Sequence, residues 1–245
     1  MNRFFIEKVN PSAKYIILDD PKQLHHLKNV LRLKPLEEAV VFDRLGNEYI
    51  VLVDGVGTKA VKFKIKEKRF SGDSGIKITV ACAIPKNVKM DDIVDKLTQL
   101  GVECLIPLVT ERVIVRLNQQ KKLERWERWE KITQSATKQS QRSKFMVIKP
   151  VSEFKDIVLS ADNFDLKLIP TLEGKRKALR EIFNYPSREI KKVMLLIGPE
   201  GDFTPSEVAL AKESGFLPVN LGKGVLRVDT AAIAVASFIK LNEEY

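Results

Sequence analysis

The sequence predicts an α/β protein with a mainly parallel sheet, preceded by a small β-rich domain. Short β-like runs separated by turn signals fill the chain up to residue 70, a pattern typical of a small barrel or sandwich. After that point, apolar runs alternate with helical patterns, and strands buried on both faces indicate a parallel sheet. The turn-rich segment SGDSG at residues 71–75 predicts a linker. The expected domains are therefore residues 1–71 and 72–245.

The first domain is predicted from four β-like runs with turn residues between them: KYIIL, EEAVVF, EYIVLV and KAVKFKI. A helical pattern, QLHHLKNVLRL, interrupts these runs. Its apolar stripe consists of Leu24, Leu27, Val30 and Leu31. The two adjacent histidines point to different faces of such a helix, and neither cysteine nor carboxylate stands at metal-ligand spacing from them. We therefore expect them at the surface, and we expect no metal site.

The composition indicates a cytoplasmic globular protein. Hydrophobic residues make up 44% of the 245 residues, yet no apolar run reaches the length of a membrane span. The N-terminal segment MNRFFIEKVNPSAKY breaks each apolar pair with polar residues, unlike a signal peptide. Cys82 and Cys104 lie in separate apolar runs, which favours buried free thiols in a reducing compartment over a disulfide.

The charge distribution favours a polyanionic partner. The net charge is +10, and the basic excess lies before residue 156, whereas the rest of the chain is nearly neutral. No acidic residue occurs between Glu130 and Glu153, where Lys131, Lys138 and Arg142 would share one face of a helix. Lysine and arginine neutralise phosphates, and neighbouring glutamine and serine side chains can bond sugars and base edges. The pattern favours nucleic acid over the alternative of an ordinary solvated helix face.

The second domain alternates strands and helices along the chain. Strands are predicted at KITVACAI, CLIPLVT, DLKLIP, VMLLI and FLPVNL. Helices are predicted at MDDIVDKLTQLG, ERWERWEKITQSATKQS, PSEVALAKESG and TAAIAVASFIKLNEE. At the first of these helices, Asp91 or Asp92 suits the N-terminus and Gly101 suits the position just after the C-terminus. In such open sheets, ligands bind at the carboxyl ends of the strands.

Two glycine-rich loops follow the strands VMLLI and FLPVNL. The first, GPEG at residues 198–201, leads into Thr204, Pro205 and Glu207, which predict a helix start closed by a capping box. The second is LGKGVLRVDT at residues 221–230. Neither loop matches GxxxxGK(S/T) or a GxGxxG helix opening, which argues against an NTPase or a dinucleotide site. Because glycines let backbone approach a ligand closely, a nucleoside-like ligand is expected.

Seven segments occur in an order that resembles one known family over the whole chain: RFF, HHLKNVLRL, KMDDIVDKLTQLGV, IPLVTER, RWEKITQSATKQSQR, IGPEGDFTPSEV and LGKGVLRVDTA. That family is RsmE of the SPOUT superfamily, S-adenosylmethionine-dependent methyltransferases of uridine N3 in bacterial small-subunit (16S) rRNA. The resemblance implies a PUA-like RNA-binding β-barrel at residues 1–71 and a SPOUT domain at 72–245, with a deep trefoil knot at about 193–235. It also implies a homodimer that acts on the 30S subunit.

By that resemblance, backbone groups of both loops would hold S-adenosylmethionine. The implied cofactor-binding residues are Ile197, Gly198, Pro199, Glu200, Gly201, Leu221, Gly222, Val225, Leu226, Arg227, Thr230 and Ala231. This chain departs from the family pattern at three places. Asp202 replaces the second glycine of GPEGG, Lys223-Gly224 replaces a Pro-Arg pair, and Asp229 replaces a glutamate.

Methylation at uridine N3 requires loss of the N3 proton, so a nearby cation and a base would help. Arg227 is the candidate cation and Asp229 the candidate base, with a purely structural Arg–Asp contact as the alternative. N3 lies on the Watson–Crick edge, so the base must be unpaired or flipped out. The expected RNA contacts are Arg3, Lys86, Lys89, Arg112, Lys138, Gln141 and Arg142. Two other functions stay open: ribose 2′-O-methylation by a related SPOUT enzyme, and non-catalytic RNA binding in ribosome assembly.

Overall fold

The computed structural model of the protein describes residues 1–10, 12–44, 46–70, 75–86, 89–113, 118–183 and 189–242. The chain divides into two compact units: Met1–Asp73 with Thr137–Phe145, and Ser74–Ala136 with Met146–Tyr245. Most of the predicted SGDSG linker lies outside the described residues. This division differs from the predicted domains in one respect, because the later segment Thr137–Phe145 groups with the N-terminal unit.

The described residues of the N-terminal unit contain one five-stranded sheet, in the order β1-β3-β4-β5-β2. Its strands are β1 (Asn2–Ile6), β2 (Tyr15–Leu18), β3 (Glu38–Asp43), β4 (Asn47–Val56) and β5 (Val61–Phe70). The four predicted runs form β2 to β5, and β1 is an addition that pairs with β3 in parallel. The other described pairings in this sheet are antiparallel.

One face of this sheet packs on the short helix α1 (Pro21–His25) and on the π-helical turn His26–Val30 that continues it. Leu24 and Leu27 are buried as predicted. Val30 was wrongly placed in the apolar stripe, since it is 61% exposed. The reason is the wider turn, in which the Leu31 N–H donates to the carbonyl five residues back and so shifts the helical register.

The other face of the sheet carries an aromatic cluster that explains the discontinuous unit. Phe145 lies 4.6 Å from Phe5 and 6.3 Å from Phe42 between ring centroids, in edge-on geometry. All three rings are buried, and edge-to-face aromatic packing adds to the hydrophobic gain of burial. Segment 137–145 thus contributes core to the N-terminal unit.

The C-terminal unit contains an eight-stranded sheet within the described residues, in the order β11-β13-β10-β12-β6-β7-β8, with β9 also paired to β7. The strands are β6 (Lys77–Ala83), β7 (Cys104–Val109), β8 (Val147–Ile148), β9 (Ser152–Glu153), β10 (Leu166–Pro170), β11 (Lys177–Ala178), β12 (Lys192–Ile197) and β13 (Leu217–Asn220). The described pairings in this sheet are parallel, which confirms the predicted α/β class.

Helices cover both faces of this sheet. They are α2 (Lys89–Gln99), α3 (Gln119–Gln139), α4 (Phe154–Leu159), α5 (Leu179–Phe183), α6 (Pro205–Glu213) and α7 (Val228–Leu241), with a 3-10 turn at Ala161–Asn163. Along β12, Leu195 and Ile197 join the core under α2 and α7, whereas Met194 and Leu196 join the core under α4 and α6. This alternation makes β12 a central strand buried on both faces.

The ends of α2 and α3 follow the same capping pattern with different residues. Gly101, with φ of +76°, ends α2 as predicted. Gln141, with φ of +58°, takes the corresponding position after α3, and the Arg142 N–H donates to the Thr137 carbonyl at 3.1 Å. Because α3 ends at Gln139, the prediction that Arg142 continues the basic helix face was wrong.

Both cysteines are buried free thiols, as predicted. Burial raises the pKa of the Cys104 thiol to about 11. Burial also raises the pKa of the Cys82 thiol, and the nearby negative charges of Glu200 and Asp229 raise it further. Within the described ranges, no helix is both long and apolar enough to cross a membrane, and no cluster of potential metal ligands occurs.

Candidate functional site

A cavity of about 230 Å³ lies at the carboxyl ends of three neighbouring strands, β12, β10 and β13. Three loops line it. The first two are the glycine-rich loops after β12 and β13, and the third follows β10. The lining residues are Pro170, Thr171, Leu172, Arg176, Ile197, Gly198, Pro199, Glu200, Asp202, Val219, Asn220, Leu221, Gly222, Gly224, Val225, Leu226, Arg227, Val228 and Ala231. The parallel topology brings these loops together, because the carboxyl ends of parallel strands share one edge.

The structure brings most of the predicted cofactor-binding residues to this cavity. The exceptions are Gly201 and Thr230, which are absent from its lining. A Cβ on Gly201 would lie 3.5 Å from Cδ of Arg112, so this side of the residue faces a protein side chain. Thr230 is exposed in the first turn of α7, where Val228 and Ala231 line the cavity instead.

Two contacts anchor the first glycine-rich loop to neighbouring segments. Oε1 of Glu200 accepts a hydrogen bond from the backbone N–H of Lys86 at 3.0 Å. On the other side, Nη1 of Arg112 donates to the carbonyl oxygens of Gly201 at 2.6 Å and Phe203 at 3.3 Å. These contacts hold the loop in place. Arg112, which was predicted to contact RNA, therefore also has a structural role.

The same loop ends in a well-determined helix start. Thr204 caps α6, accepting from the Glu207 N–H at 3.2 Å, while the Glu207 carboxylate accepts from the Thr204 N–H at 2.8 Å. The predicted capping box is confirmed. Oε1 of Glu207 also accepts from the Glu111 N–H at 2.9 Å, so one buried carboxylate ties the segment after β7 to the start of α6.

Gly198 is required by packing as well as by the cavity. A Cβ at this position would lie 3.0 Å from Cε2 and 3.1 Å from Cδ2 of Phe203. The Phe203 ring is only 2% exposed and lies 5.3 Å from the Phe154 ring. Any side chain at Gly198 therefore has to displace a closely packed aromatic ring.

The second glycine-rich loop is open. Gly222 has φ of +114°, and apart from the adjoining residues no atom of the described part of the chain lies within 4 Å of the Cβ position of either Gly222 or Gly224. Val225 is 74% exposed. Arg227 is exposed at the N-cap of α7, and its side chain makes no capping bond within the described residues. Residues of this loop thus line the cavity and leave room for a ligand beside the two glycines.

Asp229 lies in the first turn of α7, one residue after the lining residue Val228. Its Oδ1 is buried and has no hydrogen-bond partner within the described part of the chain. The alternative considered from sequence, a structural contact with Arg227, is therefore not made through this oxygen. An unpaired buried carboxylate oxygen is costly. Asp229 itself is absent from the cavity lining, so a ligand in the cavity does not reach this oxygen unless the side chain turns.

Sequence reasoning missed the third wall of the cavity, formed by Thr171, Leu172 and Arg176. The strand DLKLIP before it was predicted, and its carboxyl end was an available signal. What the sequence could not show is that β10 lies directly between β12 and β13. Asp202 was noted as a departure from the family pattern, and the structure places it in the cavity lining.

The predicted RNA contacts in the N-terminal unit have different environments. The Arg3 side chain is 17% exposed; its guanidinium pairs with Glu48, donates to Ser143 Oγ at 2.7 Å, and is therefore engaged inside the unit. Burial would raise the pKa of Glu48, but hydrogen bonds from Ser143 and Arg3 outweigh it and hold that pKa below its ordinary value. Lys138 and Gln141 are exposed, and Arg142 is half-buried with a protein partner.

The remaining predicted RNA contacts lie in the C-terminal unit. Lys86 is exposed after β6, although its backbone N–H is bonded to Glu200. Lys89 is half-buried at the start of α2. Arg112 is exposed apart from the bonds described above. These three side chains lie on segments that follow β6 and β7, near the first glycine-rich loop that Glu200 and Arg112 anchor.

Two family patterns match this chain. An RNA methyltransferase domain matches residues 73–240, which is most of the chain. An RNA methyltransferase PUA domain matches residues 18–66, within the N-terminal sheet. The N-terminal unit is therefore PUA-like, as the resemblance implied.

Individual relatives agree with these patterns. Ribosomal RNA small subunit methyltransferase E of Synechocystis is 31% identical over 90% of this chain and 72% of the relative. The Neisseria gonorrhoeae enzyme of that name, bound to S-adenosyl methionine, is 28% identical with a TM-score of 0.83 over 98% and 97% of the chains. A Legionella pneumophila putative methyltransferase with bound SAM is 30% identical with a TM-score of 0.81 over 98% and 96%. The chain belongs to the ribosomal RNA small subunit methyltransferase E family of RNA methyltransferases.

Proposed function

We propose that the protein methylates N3 of a uridine in bacterial 16S rRNA, with S-adenosylmethionine as methyl donor and the assembled 30S subunit as substrate. The observation that carries the proposal is the cavity at which both glycine-rich loops meet. Membership of an rRNA methyltransferase family supports the reaction class. The donor bound in the similar Neisseria and Legionella structures supports its identity.

The cavity suits this donor on physical grounds. The open space beside Gly222 and Gly224 lets a nucleoside or an amino-acid group approach the backbone closely. Apolar side chains of Leu172 and Leu226 provide surface against which a flat base can pack. The residues we propose to hold the donor are Ile197, Gly198, Pro199, Glu200, Leu221, Gly222, Val225, Leu226, Arg227 and Ala231.

S-adenosylmethionine supplies an electrophilic methyl group when bound. The protein then has to present uridine N3 and to assist loss of its proton. Arg227, exposed at the cavity edge, would stabilise negative charge that develops on the uracil ring. Asp229 would accept the N3 proton or a hydrogen bond. Because its unpartnered Oδ1 is buried and the residue lies outside the cavity lining, the carboxylate would have to turn towards the uracil ring. Arg227 and Asp229 both lie at the start of α7, so the helix end would fix their positions relative to each other.

Recognition of the RNA would depend on positive charge outside the cavity. The net charge of +10 favours binding to phosphates. Lys86, Lys138 and Gln141 are exposed and would contact the RNA backbone and bases. We include Lys89, Arg112 and Arg142 in this proposal, but not Arg3, because its guanidinium is engaged within its unit. The target base must leave its stack to enter the site.

The proposed enzyme is a cytoplasmic homodimer whose residues 193–235 form a trefoil knot. Support for the dimer comes from an apolar groove beside the cavity, lined by Leu179, Leu226, Val235 and Phe238 among others. Burying such a groove in a self-complementary interface would remove apolar surface from water. Sedimentation equilibrium tests this part, and a monomer at micromolar concentration would contradict it.

The decisive experiment is methyl transfer to small subunits that lack the modification, compared with free 16S rRNA, followed by nucleoside mass spectrometry. We expect 3-methyluridine, formed faster on subunits. A 2′-O-methyl product would instead assign ribose chemistry, and methylation of free rRNA at the same rate would contradict the 30S preference. RNA binding without methyl transfer and without affinity for S-adenosylmethionine would support a non-catalytic role in ribosome assembly.

A further inference from the structure

We propose that Asp202 is a positioning residue, which fixes the third wall of the cavity and thereby sets the affinity for the methyl donor. The inference rests on the proposed function for the identity of that donor. Asp202 stands where the family pattern has glycine, so the proposal concerns one of the three places at which this chain departs from that pattern. Its basis is a pair of hydrogen bonds between two loops that line the cavity.

The carboxylate of Asp202 bridges the loop after β12 and the loop after β10. Its Oδ2 accepts from Oγ1 of Thr171 at 2.9 Å and from the backbone N–H of Leu172 at 2.7 Å. Hydrogen bonds to an ionised acceptor are stronger than bonds between neutral groups. Since β10 and β12 are adjacent parallel strands, the carboxylate closes the gap between their carboxyl ends.

The backbone conformation at Asp202 would favour glycine over aspartate. Its φ is +59°, in the left-handed region that glycine adopts freely and that costs energy for a residue with a side chain. Aspartate tolerates this region better than most residues. The backbone N–H of Asp202 also donates to the Pro199 carbonyl at 3.0 Å, which fixes the turn. The carboxylate bonds offset a backbone cost that glycine would not have.

Thr171, which bonds the Asp202 carboxylate, takes part in further hydrogen bonds. Thr171 is 6% exposed; besides donating to Asp202, its Oγ1 accepts from the Glu173 N–H at 3.1 Å. The Thr171 carbonyl accepts from Nη1 of Arg176 at 3.1 Å. These bonds order the turn from which Leu172 and Arg176 reach the cavity lining.

Leu172 shows why the bridge matters for a ligand. Its side chain is 53% exposed and lines the cavity, so core packing contributes little to holding it. Its backbone N–H, however, is held by Asp202. A wall fixed before the ligand arrives lowers the ordering cost of binding. Without the carboxylate, the loop at Leu172 would become ordered only when the ligand binds. The cost of that ordering would weaken the binding.

The test uses the full-length protein and compares Asp202→Gly, Asp202→Asn and Thr171→Val with wild type. Calorimetry gives the Kd for S-adenosylmethionine, and hydrogen exchange without ligand follows the Leu172 amide. Asp202→Gly removes the carboxylate without backbone strain. We expect about tenfold weaker binding and faster exchange at Leu172. Asp202→Asn keeps an acceptor oxygen and should restore binding to within about threefold of wild type.

A matched control lies at the opposite end of the same strands. Oδ2 of Asp165, just before β10, accepts from the backbone N–H groups of Lys191 and Lys192 at 2.9 and 2.8 Å. Asp165→Gly therefore deletes an equivalent two-bond carboxylate away from the cavity. We expect this variant to lower the unfolding temperature and to leave donor affinity unchanged.

The outcomes separate this inference from the proposed function. If wild type binds the donor and Asp202→Gly binds it equally well, with unchanged exchange at Leu172, the positioning role is overturned. If Asp165→Gly weakens binding as much as Asp202→Gly, the effect is general destabilisation and the inference is again wrong. Failure of wild type to bind the donor would overturn the proposed function, whereas the exchange measurement would still report on the bridge. In combination, Asp202→Gly and Thr171→Val should cost less than the sum of their separate effects, because both remove one shared contact.

Discussion

Replacing Gly222 with alanine tests whether the second loop depends on a backbone conformation that side chains disfavour. Gly222 has φ of +114°, and among the residues that the structure describes its Cβ position has no neighbour within 4 Å beyond the adjoining residues. The substitution therefore adds no clash with the protein, and its cost is conformational. Such a conformation costs a residue with a Cβ about 1–3 kcal/mol. Because the loop is open, the alanine variant can relax out of this conformation in the free protein, and binding then has to restore it. At about 1.4 kcal/mol per factor of ten, that predicts donor binding weakened by about 5- to 150-fold.

Gly224→Ala is the matched control, because Gly224 lines the same cavity and its Cβ position is equally open, but φ there is outside the left-handed region. Isothermal calorimetry on both variants gives the two dissociation constants, and thermal unfolding reports on stability. We expect the Gly222 variant to bind the donor much more weakly than the Gly224 variant. Equal losses would refute the conformational argument and would point to crowding of the ligand by the new methyl group.

Three further predictions concern packing, pH dependence and thiol reactivity. Gly198→Ala should lower the free energy of unfolding by about 1–3 kcal/mol, since its Cβ meets the Phe203 ring at 3.0 Å; urea denaturation measures this, and an unchanged midpoint would contradict it. The Glu48 pKa is lowered in the fold, so the ionised carboxylate stabilises the protein. The loss of unfolding free energy in Glu48→Gln should therefore be greatest near neutral pH and should diminish as pH falls through about 4 and below. A difference in unfolding free energy that does not change with pH would count against the ion pair. Cys82 and Cys104, with raised thiol pKa values, should resist alkylation at pH 8 until the protein is unfolded, and rapid labelling of the native protein would disprove their burial.

Local signals in the sequence predicted much of the fold. The capping box of Thr204 and Glu207 and the helix stop at Gly101 are decided by neighbouring residues, and both are confirmed. The strand ending at Ile197 was also predicted from a local signal, because a short apolar run that ends at a glycine is typical of a buried strand. Where chemistry within a few residues determines the backbone, sequence reasoning was sufficient.

The predictions that were wrong or absent concern features that depend on tertiary structure. Gln141 ends α3 in a left-handed conformation that the sequence signals far less clearly than a glycine would, so Arg142 was placed on a helix that had already ended. Val30 was misplaced because a π-helical turn shifts the register. The bond between Asp202 and Thr171 depends on the order of strands in the sheet, which no local pattern encodes.

The discontinuous N-terminal unit has a consequence for how the chain is made. Phe5 and Phe42 emerge from the ribosome long before Phe145, the ring that packs against both. During synthesis, the sheet face that carries Phe5 and Phe42 therefore stays uncovered until the segment after α3 has been translated. A fragment cut at the linker would retain that exposed face permanently. Expression of this unit by itself accordingly calls for a design that supplies residues 137–145, for example by a short connection from β5 to that segment.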